Sequence, residues 1–106
     1  MKERRHYKRL TISLPVRLNL MDGAGIMALD LEARDISYSG TFIPTLTSFP
    51  EGTRFVLDFT IPSDNLKEFK NVDSLIGCAG TMVRSEPHGI AIEFDKECQI
   101  KNLKDL

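Results

Sequence analysis

Thr11-Ile12-Ser13-Leu14-Pro15-Val16-Arg17-Leu18-Asn19-Leu20 sets Ile12, Leu14, Val16, Leu18 and Leu20 against Thr11, Ser13, Pro15, Arg17 and Asn19 without a break. An apolar repeat of two is that of a strand with one buried face, because successive side chains of a strand point to opposite sides. A helix repeats every 3.6 residues and cannot produce it. Pro15 has no N–H to give a ladder, so its position belongs at an edge or a bulge. This stretch makes the chain a β protein, and the rest of the sequence follows from it in both directions.

Asp22-Gly23-Ala24-Gly25 supplies turn residues after the first strand. A second strand is expected from about Ile26 to Ile36, but its phase is inconsistent. Met27, Leu29, Leu31 and Ala33 share one face, and Ile36 belongs to the other. A regular strand with its leucines inward would bury Asp35 and Ser37, which is costly for a carboxylate without partners. A bulge between Leu31 and Ile36 would turn both outward, and that bulge is predicted. Ser39-Gly40 then turns into a strand near Thr41–Leu46, and Pro50-Glu51-Gly52 turns into one carrying Phe55, Leu57, Phe59 and Ile61, ended by Pro62. Residues 63–73 form a polar connection with room for a helical turn. A strand over Leu75–Arg84, weakened by Gly77 and Gly80, and one with Ile90, Ile92 and Phe94 complete the set. Ile100, Leu103 and Leu106 at three-residue spacing predict a short C-terminal helix. Six short strands with turns between them predict a small antiparallel barrel or sandwich.

A chain of 106 residues is enough for one domain with one core. No run approaches the roughly 20 apolar residues of a membrane span, and the charged N-terminus lacks the apolar segment of a secretory signal, so a cytoplasmic protein is expected. Cys78 and Cys98 have no metal or redox spacing and are expected to be reduced thiols. Charge is distributed unevenly. Residues 1–9 hold five Lys or Arg against Glu3, a local charge of +4, while the other 9 basic and 14 acidic residues leave the body at −5. A basic arm (1–9) on an acidic body (10–106) points to an anionic partner for the arm.

Catalytic patterns are missing from the sequence. His6, His88, Cys78 and Cys98 follow no zinc spacing. Ser37 and Ser39 lie in no Gly-x-Ser-x-Gly elbow, and there is no Gly-rich phosphate loop. The chain is expected to be no enzyme and to need no cofactor.

Two short motifs remain. Arg5-His6-Tyr7-Lys8-Arg9 carries two arginines separated by three residues, just before the first strand. Asp35-Ile36-Ser37-Tyr38-Ser39-Gly40 reads Asp-x-Ser-x-x-Gly at the end of the second. With the six strands, the Gly-Ile-Ala-Ile-Glu-Phe last strand and the helical tail, they resemble the PilZ domain family over nearly the whole chain. The resemblance implies a small six-stranded antiparallel β-barrel that binds cyclic di-GMP and relays its level to an unidentified downstream protein. It assigns Arg5 and Arg9 to the family's arginine motif and Asp35, Ser37 and Gly40 to its second motif. In similar domains an arginine before the first motif, here Arg4, goes with two stacked ligand molecules per chain.

These residue types suit that ligand. An arginine fork pairs with guanine O6 and N7 or with phosphate oxygens through two parallel bonds. The Asp35 carboxylate complements the N1–H and N2–H₂ donors of guanine, and the Ser37 hydroxyl can donate or accept. Gly40 tolerates a positive φ and allows close backbone approach. The arm is expected to be mobile without ligand and to fold onto the barrel with it. Two other classes compete. A nucleic-acid binder is opposed by the acidic body and by strands without exposed aromatic interleaving; a PilZ-type module that binds only proteins would keep the fold without the nucleotide.

Overall fold

The computed structural model describes residues 9–21, 28–67, 69 and 74–96, and for Arg9 the backbone alone. The expected arm (apart from Arg9), the turn at 22–25 and the C-terminal helix lie outside the described residues. Eight strand segments are present: β1 (Arg9–Leu10), β2 (Leu14–Leu20), β3 (Ala28–Ala33), β4 (Asp35–Ser37), β5 (Gly40–Pro44), β6 (Arg54–Thr60), β7 (Ser74–Glu86) and β8 (Gly89–Phe94). All pairings are antiparallel, in one sheet of order β1-β4-β5-β8-β7-β6-β2-β3. Six strands were expected. The two additions are β1 and the division of the strand expected over 26–36 into β3 and β4 at Arg34.

That division bends the sheet. β3 pairs with β2, while β4, one residue further along the chain, pairs with β1 and β5. A single run of chain therefore ties one end of the strand order to the other. The Arg34 N–H donates to the Phe42 carbonyl of β5 at 2.9 Å and closes the gap. The sheet is accordingly curled, barrel-like and all-β. Apart from a single helical turn at Ser63–Asn65, no helix is long enough to matter among the described residues, and none could cross a membrane.

Alternation places the core. Leu14, Val16 and Leu18 of β2, Phe55, Leu57 and Phe59 of β6, and Ile90, Ile92 and Phe94 of β8 are buried, and each contributes about 1.5–3 kcal/mol by leaving water. Pro15 is paired only to β3, because the β2–β6 ladder begins at Val16. Ring edges meet faces at Phe59–Phe94, 6.1 Å between centroids, and at Phe49–Phe55, 5.0 Å. The polar connection hides one surprise: Phe69 is fully buried and pins that segment to the core.

β7 has two irregularities, one of them built on a glycine. Gly77 has φ +76°, and its N–H donates to Asp58 Oδ1 at 2.8 Å, where the β6–β7 register shifts. This is a bulge built on a left-handed residue. A second shift lies between Met82 and Arg84 in the β7–β8 ladder. At the end of the β6–β7 ladder, where Arg54 lies opposite Thr81, Arg54 of β6 holds Asp95 fork to fork, at 2.8 and 2.7 Å, and also donates to Thr81. The start of the segment after β8 is thereby fixed.

Candidate functional site

A cavity of about 390 Å³ opens on the outer surface of β4, β5, β7 and β8. Asp35, Ser37 and Gly40, the second motif, line it with Arg34, Arg84, Glu86 and Glu93. The predicted break in phase is what brings the motif there. Ala33 and Ile36, three residues apart, both join the core cluster, and the interruption at Arg34 lets them. Asp35 and Ser37 then face away from that core, towards the cavity. The correction concerns exposure: they are covered rather than open, with 9% and 5% of their surface accessible.

Asp35 is the more telling of the two. Its backbone carbonyl accepts from Thr41 Oγ1 at 2.6 Å, which fixes the position of the residue. Among the described residues, no donor is hydrogen-bonded to its carboxylate. Buried polar groups nearly always find partners, and this covered carboxylate, with no donor among the described residues, leaves its acceptor capacity open on the cavity wall.

Ser37 has a local role as well. Its Oγ accepts from the Ser39 N–H at 3.3 Å, donates to the Gly40 carbonyl at 3.4 Å and lies 3.5 Å from Ser39 Oγ. These contacts shape the turn between β4 and β5. All are long, so the hydroxyl is held loosely and can be drawn to a stronger partner.

Gly40 sits opposite Glu93 in the β5–β8 ladder. A Cβ there would run into the Ile92 carbonyl oxygen of β8. Close approach of two backbones thus requires glycine; a positive φ, the other expected reason, is not adopted.

Arg9 lies directly opposite Ser37 in the β1–β4 ladder, and Leu10 opposite Ile36. The backbone thus brings the end of the arginine motif beside the second motif. Arg4 and Arg5 lie outside the described residues.

Four charged lining residues escaped the sequence reading. Arg34 lies over the Phe42 ring, 4.4 Å from its centroid. Arg84 and Glu86 pair with each other on β7, and Glu93 projects from β8. A signal for Arg84 was present: strict alternation from Met82 would have buried an arginine, the same conflict that revealed the break before Asp35. Carboxylates outnumber guanidinium groups among these lining residues, three (Asp35, Glu86, Glu93) to two (Arg34, Arg84).

A curled antiparallel sheet with a polar cavity on its outer surface is the architecture of a small, barrel-like all-β domain. The family model for the PilZ domain matches residues 3–106, and the chain belongs to the PilZ domain family, a cyclic di-GMP-binding family of regulatory modules. Two solved structures have the same fold. The PilZ domain of CeSA from a cellulose-synthesising bacterium is 14% identical with a TM-score of 0.63, over 91% of this chain and 90% of that one. The Bacillus subtilis inhibitor of motility (MotI/DgrA) is 17% identical with a TM-score of 0.69, over 98% of this chain. The present chain spans 49% of the length of that protein. At these identities the likeness concerns the fold. No curated protein matches the sequence.

Proposed function

We propose that this chain is a cyclic di-GMP receptor whose second motif, Asp35, Ser37 and Gly40, forms one wall of the site and whose arm closes it with Arg4, Arg5 and Arg9. The observation that carries the reading is the covered Asp35 carboxylate, without a hydrogen-bond donor among the described residues, on a cavity of ligand size. Guanine offers that carboxylate two adjacent donors on its Watson–Crick edge. The excess of carboxylates on the wall requires that most of the positive charge for the phosphates come from elsewhere, and the arm has a local charge of +4. Arg9 is at hand for this, since its backbone pairs with Ser37.

The role is binding and relay rather than catalysis, in the cytoplasm, and no cofactor takes part. Ligand draws the arm onto the barrel, and the rearranged surface is read by a downstream protein. Calorimetric titration tests the assignment. Saturable heat with cyclic di-GMP, and none with GMP or a single-stranded oligonucleotide, is the expected result. Absence of saturable heat with cyclic di-GMP refutes it and leaves a PilZ module that binds proteins alone.

A further inference from the structure

The register shift between Met82 and Arg84 has a consequence for what the cavity can hold. Met82 is fully buried, and in a regular strand Arg84, two residues on, would follow it into the core. The bulge at Val83 reverses the phase, so that Arg84 pairs with Ala91 across the ladder and its side chain reaches the cavity instead. Its guanidinium is not free there. Nε donates to Glu86 Oε2 at 2.6 Å, and both side chains are well exposed, at 61% and 41%.

We infer that Arg84 is a phosphate-contacting residue of the ligand site and that Glu86 holds it in reserve, setting the affinity by competing for it. This rests on the reading of the cavity as the cyclic di-GMP site. A neutral base edge would be a poor exchange for a carboxylate on a guanidinium, whereas a phosphate oxygen replaces one anion with another and keeps the bond charge-assisted. Exposure makes the exchange easy, because a solvent-exposed ion pair holds its partners weakly. Among the described residues the bond leaves the rest of the Arg84 fork, both Nη groups, able to take the phosphate from the cavity side while Glu86 is still in place. Glu86 thus lowers affinity without closing the site.

The test is a double-mutant cycle read by calorimetric titration with cyclic di-GMP on the full chain at low salt. Glu86→Gln is expected to bind about two- to fivefold more tightly than the unaltered chain, the range for releasing an exposed pair. Arg84→Ala is expected to bind about tenfold more weakly, and Arg84→Lys to fall between. In the Arg84→Ala background, Glu86→Gln is expected to change nothing. A gain that persists there, or an equal gain from Asp64→Asn, whose side chain lies outside the cavity lining, would make Glu86 only a general repulsive charge and overturn the inference. Unchanged affinity in Arg84→Ala overturns it too, while the unaltered chain's own binding leaves the receptor assignment standing. If the unaltered chain does not bind cyclic di-GMP, the receptor assignment fails first and this inference with it. Both side chains are exposed, so equal melting temperatures are expected and serve as the folding control.

Discussion

Arg9 and Ser37 face one another across the β1–β4 ladder, although one belongs to the arginine motif and the other to the Asp-x-Ser-x-x-Gly motif. Main-chain pairing thereby joins two motifs distant in the chain. Arg5→Ala and Arg9→Ala are each expected to weaken cyclic di-GMP binding at least tenfold, roughly 1.4 kcal/mol or more, with the fold intact. Isothermal titration together with far-ultraviolet circular dichroism checks this. Unchanged affinity in both variants, with native spectra, would refute the site.

Asp35 offers a separate test of selectivity. Its carboxylate reads a base edge and repels phosphate, so Asp35→Ala is expected to lose guanine preference more than affinity for anions. Cyclic di-GMP and cyclic di-AMP should approach each other in affinity in this variant. Because no donor among the described residues serves the carboxylate, the variant should also be at least as stable as the unaltered chain in urea. Retained guanine preference, accompanied by a clear loss of stability, would make Asp35 a structural residue.

Arg4 bears on stoichiometry. A second dinucleotide brings two more phosphates beside the first, and a third guanidinium next to Arg5 and Arg9 offsets that repulsion and offers a plane for stacking. Two ligand molecules per chain are expected at saturation, falling towards one in Arg4→Leu. One molecule per unaltered chain, or two in Arg4→Leu, would show that Arg4 does not set the number.

Gly40 probes the backbone approach between β5 and β8. Gly40→Ala places a methyl group against the Ile92 carbonyl oxygen, a main-chain atom that cannot turn aside. A loss of about 1–3 kcal/mol is expected, as for overpacking in a tight interior. Urea denaturation measures it, and an unaltered midpoint would show that the two strands can separate freely.

Asp95 introduces a pH dependence. The hydrogen bonds from Arg54 hold its carboxyl below the ordinary value of 3.8, against the opposing effect of burial, and the Arg54 charge adds to the lowering. A lowered folded-state pKa means that the unfolded chain takes up the proton first, so stability increases with pH across this range. The contribution is fully present above 3.8 and is lost as the pH falls through the lower folded value. Asp95→Asn should therefore destabilise the protein at pH 7, by up to about 1 kcal/mol, and by progressively less below pH 4. Thermal melts across that range decide it; an equal penalty at both ends would mean that charge is irrelevant to the contact.

Most of the strands could be read from the chain because period two reports directly which face of a half-buried strand meets the core. The strands Leu14–Leu20 and Arg54–Thr60 needed nothing else, although the first pattern began at Thr11 and the ladder takes it up only at Leu14. The break before Asp35 was legible for the same reason, since an unbroken phase would have put a carboxylate in the core. Both motifs could also be picked out, because their residue types and spacing carry chemistry that is independent of the fold.

Only the tertiary structure decided which strands become neighbours, and with that the walls of the cavity. Pairing of β4 with both β1 and β5, and the return of β3 to β2, are matters of long-range register that no local pattern encodes. The same holds for Arg84, whose place in the cavity depends on a bulge against β8 that a single strand's sequence cannot reveal. Gly40 could be recognised as a motif glycine, but its reason was legible only once the Ile92 carbonyl stood beside it. Local sequence sets the face of each strand through side-chain solvation. The partner across the ladder is chosen by the closure of the whole sheet, and the site belongs to that closure.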